Sequence, residues 1–174
     1  MYLRKCDKVE GWSAKDYSEI ASLIQNLNPS VYEKNPLKIN LSELCVKPNI
    51  DKVKVVFHNN IISYFDILEM AGYWRKANHI HKWFVENVQD KKDDCELYLV
   101  SKEKLEQLKD YCQRVKENFL LGPILLPTQD GFFFGGTGYD SYYLDNVKDT
   151  IKIIEDVLAS TNFENQCIFY ESSW

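Results

Sequence analysis

The residues best equipped for chemistry lie in one segment, GYWRKANHIHKWF, from Gly72 to Phe84. Within it Trp74, Arg75, Lys76, Asn78, His79, His81 and Trp83 all carry hydrogen-bond donors or cationic groups. Arg and Lys bind phosphate or carboxylate, Trp stacks on a base, and Asn or His reads polar edges. Each residue also has a plainer role. Trp74 and Trp83 border an apolar stripe and are expected to pack against neighbours. His81 lies near the core edge and suits a hydrogen-bonded buried histidine, and Arg75 and Lys82 suit a solvated helix face.

A second segment, GFFFGGTGYD from Gly131 to Asp140, runs from a strand through a glycine-rich turn to a helix start. That order cradles phosphates elsewhere. Here there is no Walker lysine, the spacing is not GxGxxG, and Asp140 would take the anion's place at the helix end. The plainer reading is that the glycines let the backbone turn beneath an aromatic cluster of Phe132, Phe133, Phe134, Tyr139, Tyr142 and Tyr143.

Metal and nucleophile chemistry find less support. His79, His81, Asp93, Asp94 and Cys95 are metal-ligating types, but an HxH pair on a helix points its side chains about 200° apart. There is no HExxH and no CxxC. Cys112 falls within a helical core stripe, unsuited to a Cys–His nucleophile. No metal and no cofactor is expected.

These residues need elements to hold them. Ser13 and Asp16 form a capping box, with Asp in place of Glu, for a helix over 13–27. Three prolines between 28 and 50 mark an irregular connection, and Val53–Phe57 and Ile61–Phe65, split by His58-Asn59-Asn60, predict a β-hairpin. The strongest helical periodicity spans 70–88, with Tyr73, Ala77, Ile80, Phe84 and Val88 inward and Arg75, His79, Lys82 and Glu86 outward. A short strand over 96–100 follows, then a helix capped by Ser101 and running to Phe119 with Leu105, Leu108, Cys112, Val115 and Phe119 inward. A strand at 132–134 precedes a helix capped by Asp140 and ending near Ala159, with Leu144, Val147, Ile151, Ile154 and Leu158 inward. Gln166–Glu171 reads as the closing strand. The helices and strands do not alternate strictly. The expected fold class is therefore α+β: a single domain over residues 1–174, a small, mainly antiparallel sheet packed with about four helices.

Composition narrows the function classes. The chain has 174 residues, a net charge of -5 and 14% aromatic residues, which excludes disorder and low complexity. An acidic balance argues against sequence-independent coating of nucleic acid. The acidity is local: residues 121–174 hold two basic against eight acidic side chains, whereas residues 72–82 hold Arg75, Lys76 and Lys82 and no acid. Five scattered cysteines without CxxC spacing fit a reduced, cytoplasmic protein. No stretch approaches the roughly 20 apolar residues of a membrane span.

The strings GYWRKANHIHKWFVENVQ, DDCELYLVS, LLPTQDGFFFGGTGYD and the terminal YESSW together resemble a family of small phage- and prophage-encoded proteins. The likeness covers residues 72–174 and extends to the opening Met1-Tyr2-Leu3. Glu96 departs from the glycine that follows DDC in the family pattern. The resemblance implies a phage accessory protein expressed in a bacterial cytoplasm. It supplies no activity and no catalytic residues.

The leading expectation is a non-enzymatic binding protein acting on a host protein or a nucleotide-like, anionic ligand, with a role in counter-defence. Arg75 and Lys76 would contact the anion, Trp74 and Tyr139 would stack, and Asn78 and His81 would read polar edges, with Asp140 and Tyr143 lining the same place. The alternative is a phosphodiesterase or nucleotide hydrolase using His81 or His79 as general acid/base, beside an acid such as Asp140, with Arg75 stabilising charge. A third reading is an interaction module whose aromatic tail, ending at Trp174, docks a partner or a second copy of the chain.

Overall fold

The computed structural model describes residues 1–8, 10–19, 68–131 and 135–173. The expected hairpin at 53–65, the connection at 28–50, the strand at 132–134, Trp174 and the first helix beyond residue 19 lie outside these. Four strands form one antiparallel sheet: β1 (Tyr2–Asp7), β2 (Glu69–Tyr73), β3 (Tyr98–Val100) and β4 (Gln166–Glu171), in the order β2-β1-β4-β3. Helices are α1 (residues 14–19), α2 (Asn78–Asn87), α3 (Lys102–Glu117), the single turn α4 (Gly122–Leu125) and α5 (Ser141–Ser160). The architecture is α+β.

One face of the sheet carries the main core. Leu3, Val100, Ile168 and Tyr170 pack there with Ile80 and Phe84 of α2, Leu105, Leu108, Cys112 and Val115 of α3, and Val147, Ile151, Ile154 and Val157 of α5. The Phe84 and Tyr170 rings stack in parallel, 4.0 Å between centroids. On the other face the Tyr17 ring of α1 lies 5.2 Å from Phe169, and its hydroxyl donates to the Asp7 carbonyl over 3.0 Å.

The capping box at α1 is reciprocal: the Ser13 amide and hydroxyl both donate to Asp16 Oδ2 at 2.7 Å. Ser101 and Asp140 cap α3 and α5 by accepting from the amides three residues on. The strand at Gln166–Glu171 has the predicted bounds.

The long helix expected over 70–88 is instead a strand, a four-residue corner and a ten-residue helix. Residues 69–73 complete the open edge of β1, pairing Tyr2 with Tyr73 and Leu3 with Gly72 around a bulge, and those ladder bonds outweigh helical periodicity. The change rotates the side chains. Tyr73 points out and is 48% exposed, whereas His79 turns inward and is only 2% exposed. The strand at 96–100 shortens to Tyr98–Val100. α3 ends at Glu117, because Asn118 takes an extended conformation and its side chain caps a following 3-10 turn, Phe119–Leu121. Phe119 thereby leaves the α3 stripe and is partly exposed.

Candidate functional site

The corner between β2 and α2 gathers most of the residues singled out above. Lys76 turns it with a left-handed backbone, φ 57°. The cap position of α2 is Ala77, which has no side-chain acceptor, and no acidic residue occupies the first turn. A helix N-terminus carries partial positive charge, usually met by a capping oxygen or a carboxylate. At α2 that charge is instead preceded by Arg75 and Lys76, both exposed and neither ion-paired among the described residues.

A clasp holds the corner against the glycine-rich turn. Asn78 Nδ2 donates to the Gly136 carbonyl at 2.8 Å, and its Oδ1 accepts from the Gln129 amide at 3.2 Å. Gly135, at φ 83°, lies so close that a Cβ there would sit 3.2 Å from Lys76 Cβ. The Tyr142 hydroxyl donates to the Arg75 carbonyl at 2.9 Å. Tyr139 accepts from the Thr128 amide, and Tyr143 donates to the Leu126 carbonyl at 3.0 Å. Asp140 accepts from the Tyr143 amide at the head of α5. Arg75, Lys76, Asn78, Tyr139, Asp140 and Tyr143 therefore share one neighbourhood. The amide of Asn78, the hydroxyls of Tyr139 and Tyr143 and one carboxylate oxygen of Asp140 are engaged within the protein; the charged ends of Arg75 and Lys76 face outward.

Trp74 and His81 belong elsewhere. The Trp74 ring is in the core, its Nε1–H donating to Thr150 Oγ1 at 2.8 Å. His81 is fully buried between two side chains, with Nδ1 2.7 Å from the Tyr170 hydroxyl and Nε2 3.1 Å from Asp93 Oδ2. A carboxylate can only accept, so Nε2 carries the proton and Nδ1 accepts from Tyr170. Burial lowers the His81 pKa against the opposing pull of Asp93, and burial raises that of Tyr170. The result is a relay from a neutral tyrosine through a neutral histidine to a carboxylate, with the Asp93 side chain about one-third exposed. The acidic partner of His81 is thus Asp93, not the expected Asp140.

His79 rests against Tyr143, 4.2 Å between ring centroids, with Nε2 buried and unbonded among the described residues. Burial alone pushes its pKa down to about 3. The two histidines of the HxH pair thus face different neighbours, and no group of three or more His, Cys, Asp or Glu able to hold a metal occurs among the described residues. Cys112 is enclosed in the core and burial raises its thiol pKa. Sequence reasoning missed Asp93, one of five charged residues in the loop QDKKDD with nothing to distinguish it, and Tyr170 and Thr150, which come into range only through the fold.

The chain matches no protein-family model, no curated protein and no solved structure. Among the described residues no helix is long and apolar enough to cross a membrane.

Proposed function

We propose that the protein acts by binding, holding an anionic, nucleotide-like ligand at the corner between β2 and α2 with Arg75 and Lys76 as the anion contacts. One observation carries this reading: two exposed cations with no carboxylate partner among the described residues directly precede a helix N-terminus that has neither a side-chain cap nor an acidic first turn. Phosphate there gains charge-assisted hydrogen bonds from Arg75 and Lys76, while the buried first turn, Ala77 to Ile80, contributes its dipole field and not direct amide contacts. The bonds from Asn78 to Gly136 and Gln129, and from Tyr142 to Arg75, set the corner in place and lower the ordering cost of binding. The likeness to phage-encoded proteins supports a ligand or partner from a bacterial host, and a role in counter-defence. Thermal unfolding with pyrophosphate, nucleoside triphosphates and cyclic dinucleotides tests it. A ligand at a hundred times its Kd should stabilise the protein by ~2.7 kcal/mol, and Arg75→Ala with Lys76→Ala should abolish the shift. No stabilisation of the wild type by any of these compounds would refute the proposal.

A second reading, general acid/base catalysis on a phosphodiester, would work through Asp93, the one partly exposed member of the Asp93–His81–Tyr170 relay, since His81 and Tyr170 are fully buried. Hydrolysis of bis(p-nitrophenyl) phosphate that His81→Gln and Asp93→Asn both suppress would establish it. Absence of turnover by the wild type would dismiss it.

A further inference from the structure

We propose that Cys6 and Cys167 form a peroxide-oxidisable dithiol, a modification site that locks β1 to β4. The two are direct partners across the antiparallel ladder. The Lys8 amide donates to the Asn165 carbonyl at 2.7 Å, so 8 and 165 are a hydrogen-bonded pair. Two residues along, 6 and 167 are a pair of the same type, with Cα atoms about 5.5 Å apart. That Cα separation falls within the range a disulfide spans, while the Cβ atoms of a hydrogen-bonded pair start about 5.5 Å apart and must draw together, so the bond forms with local strain. Both residues are free thiols.

The two thiols have different environments, which divides the labour. Cys167 is half-buried and open to a small oxidant, while Cys6 is enclosed. The neighbouring Cys6 thiol lowers the Cys167 pKa to about 7 against the effect of burial, helped by the charge of Lys8 and the Tyr17 hydroxyl. The neighbouring Cys167 thiol, with burial and Asp7, raises that of Cys6. Cys167, the more accessible of the two, is therefore the attacking thiolate. Its sulfur takes one oxygen from hydrogen peroxide as the O–O bond breaks and hydroxide leaves, giving a sulfenic acid. The Cys6 sulfur then attacks, the S–S bond forms, the S–O bond breaks, and the departing hydroxide leaves as water with the Cys6 proton. The two sulfurs together lose two electrons and the peroxide gains them.

The test treats the full chain with hydrogen peroxide and follows intact mass and disulfide-linked peptides. The expected product is lighter by two hydrogens, with Cys6 and Cys167 in one linked peptide, and dithiothreitol reverses it. Cys6→Ser should instead hold Cys167 as a sulfenic acid that dimedone captures. Five thiols unchanged in the wild type, or a linkage through Cys45, Cys95 or Cys112, would overturn the proposal. The wild-type peptide map decides the matter even if the Cys6→Ser chain does not fold.

Discussion

His79 shows how one buried side chain sets a pH response. Among the described residues its Nε2 has no partner, its ring lies against Tyr143, and burial holds its pKa near 3 against an ordinary 6.5. The unfolded chain therefore binds a proton below about pH 6.5 that the folded chain refuses. Folding stability contributed by the neutral ring is complete above that value and is lost as the pH falls towards 3. At pH 5 the loss amounts to about 2 kcal/mol, at ~1.36 kcal/mol per pH unit. His79→Phe keeps the ring contact and removes both the titration and the orphaned nitrogen. Urea unfolding at pH 7 and pH 5 should show the wild type losing about 2 kcal/mol more than the variant between the two. Equal losses would mean that His79 finds a proton acceptor when it charges. His81, also lowered by burial, adds loss of the same sign in both proteins, so the difference isolates His79.

Elements meet where side chains are small enough to let them. Gly72 of β2 faces α5, and a Cβ there would lie 2.6 Å from Ile153 Cγ2 and 3.4 Å from Leu3 Cβ. Ile153 is β-branched on a helix and holds essentially one rotamer, so the strand or the helix must shift. Gly72→Ala should cost about 1–3 kcal/mol, and Ile153→Ala in the same chain should recover part of it, a coupling that urea unfolding of the two single variants and the double variant measures. Additive losses would show that β2 and α5 do not press on each other at this point. Gly72 also marks where sequence reading stopped. Caps and stripes that act within one segment were legible: Ser13 with Asp16, Ser101, Asp140, and the inward face of α3 from Leu105 to Val115. The switch from strand to helix at residues 74–77 was not, because helical spacing runs unbroken through Tyr73, Ala77 and Ile80, and only the open edge of β1 makes residues 69–73 a strand. For the candidate site, Arg75 and Lys76 were legible by type and charge. The bonds that engage Asn78, Tyr139 and Tyr143 depend on segments about 10 to 60 residues away in sequence, beyond the reach of any local pattern.

At the scale of the whole molecule, the decisive fact is that the first and last strands are neighbours at the middle of the sheet. Leu3 sits opposite Tyr170, whose ring stacks on Phe84 and whose hydroxyl reaches His81, so the two ends of the chain jointly build the core beneath α2. Such pairing closes a loop that spans most of the 174 residues, and its entropy cost falls on folding. A covalent bond between Cys6 and Cys167 would remove that cost from the unfolded state, because the closed loop spans nearly all of the 174 residues. Chain-entropy reasoning places the gain at up to ~5 kcal/mol, reduced by whatever strain the cross-link introduces. The peroxide-treated protein should therefore unfold at a higher urea concentration than the dithiothreitol-treated protein, and Cys167→Ser should erase the difference. A cross-linked protein that unfolds at an unchanged midpoint would mean that strain offsets the full entropic gain.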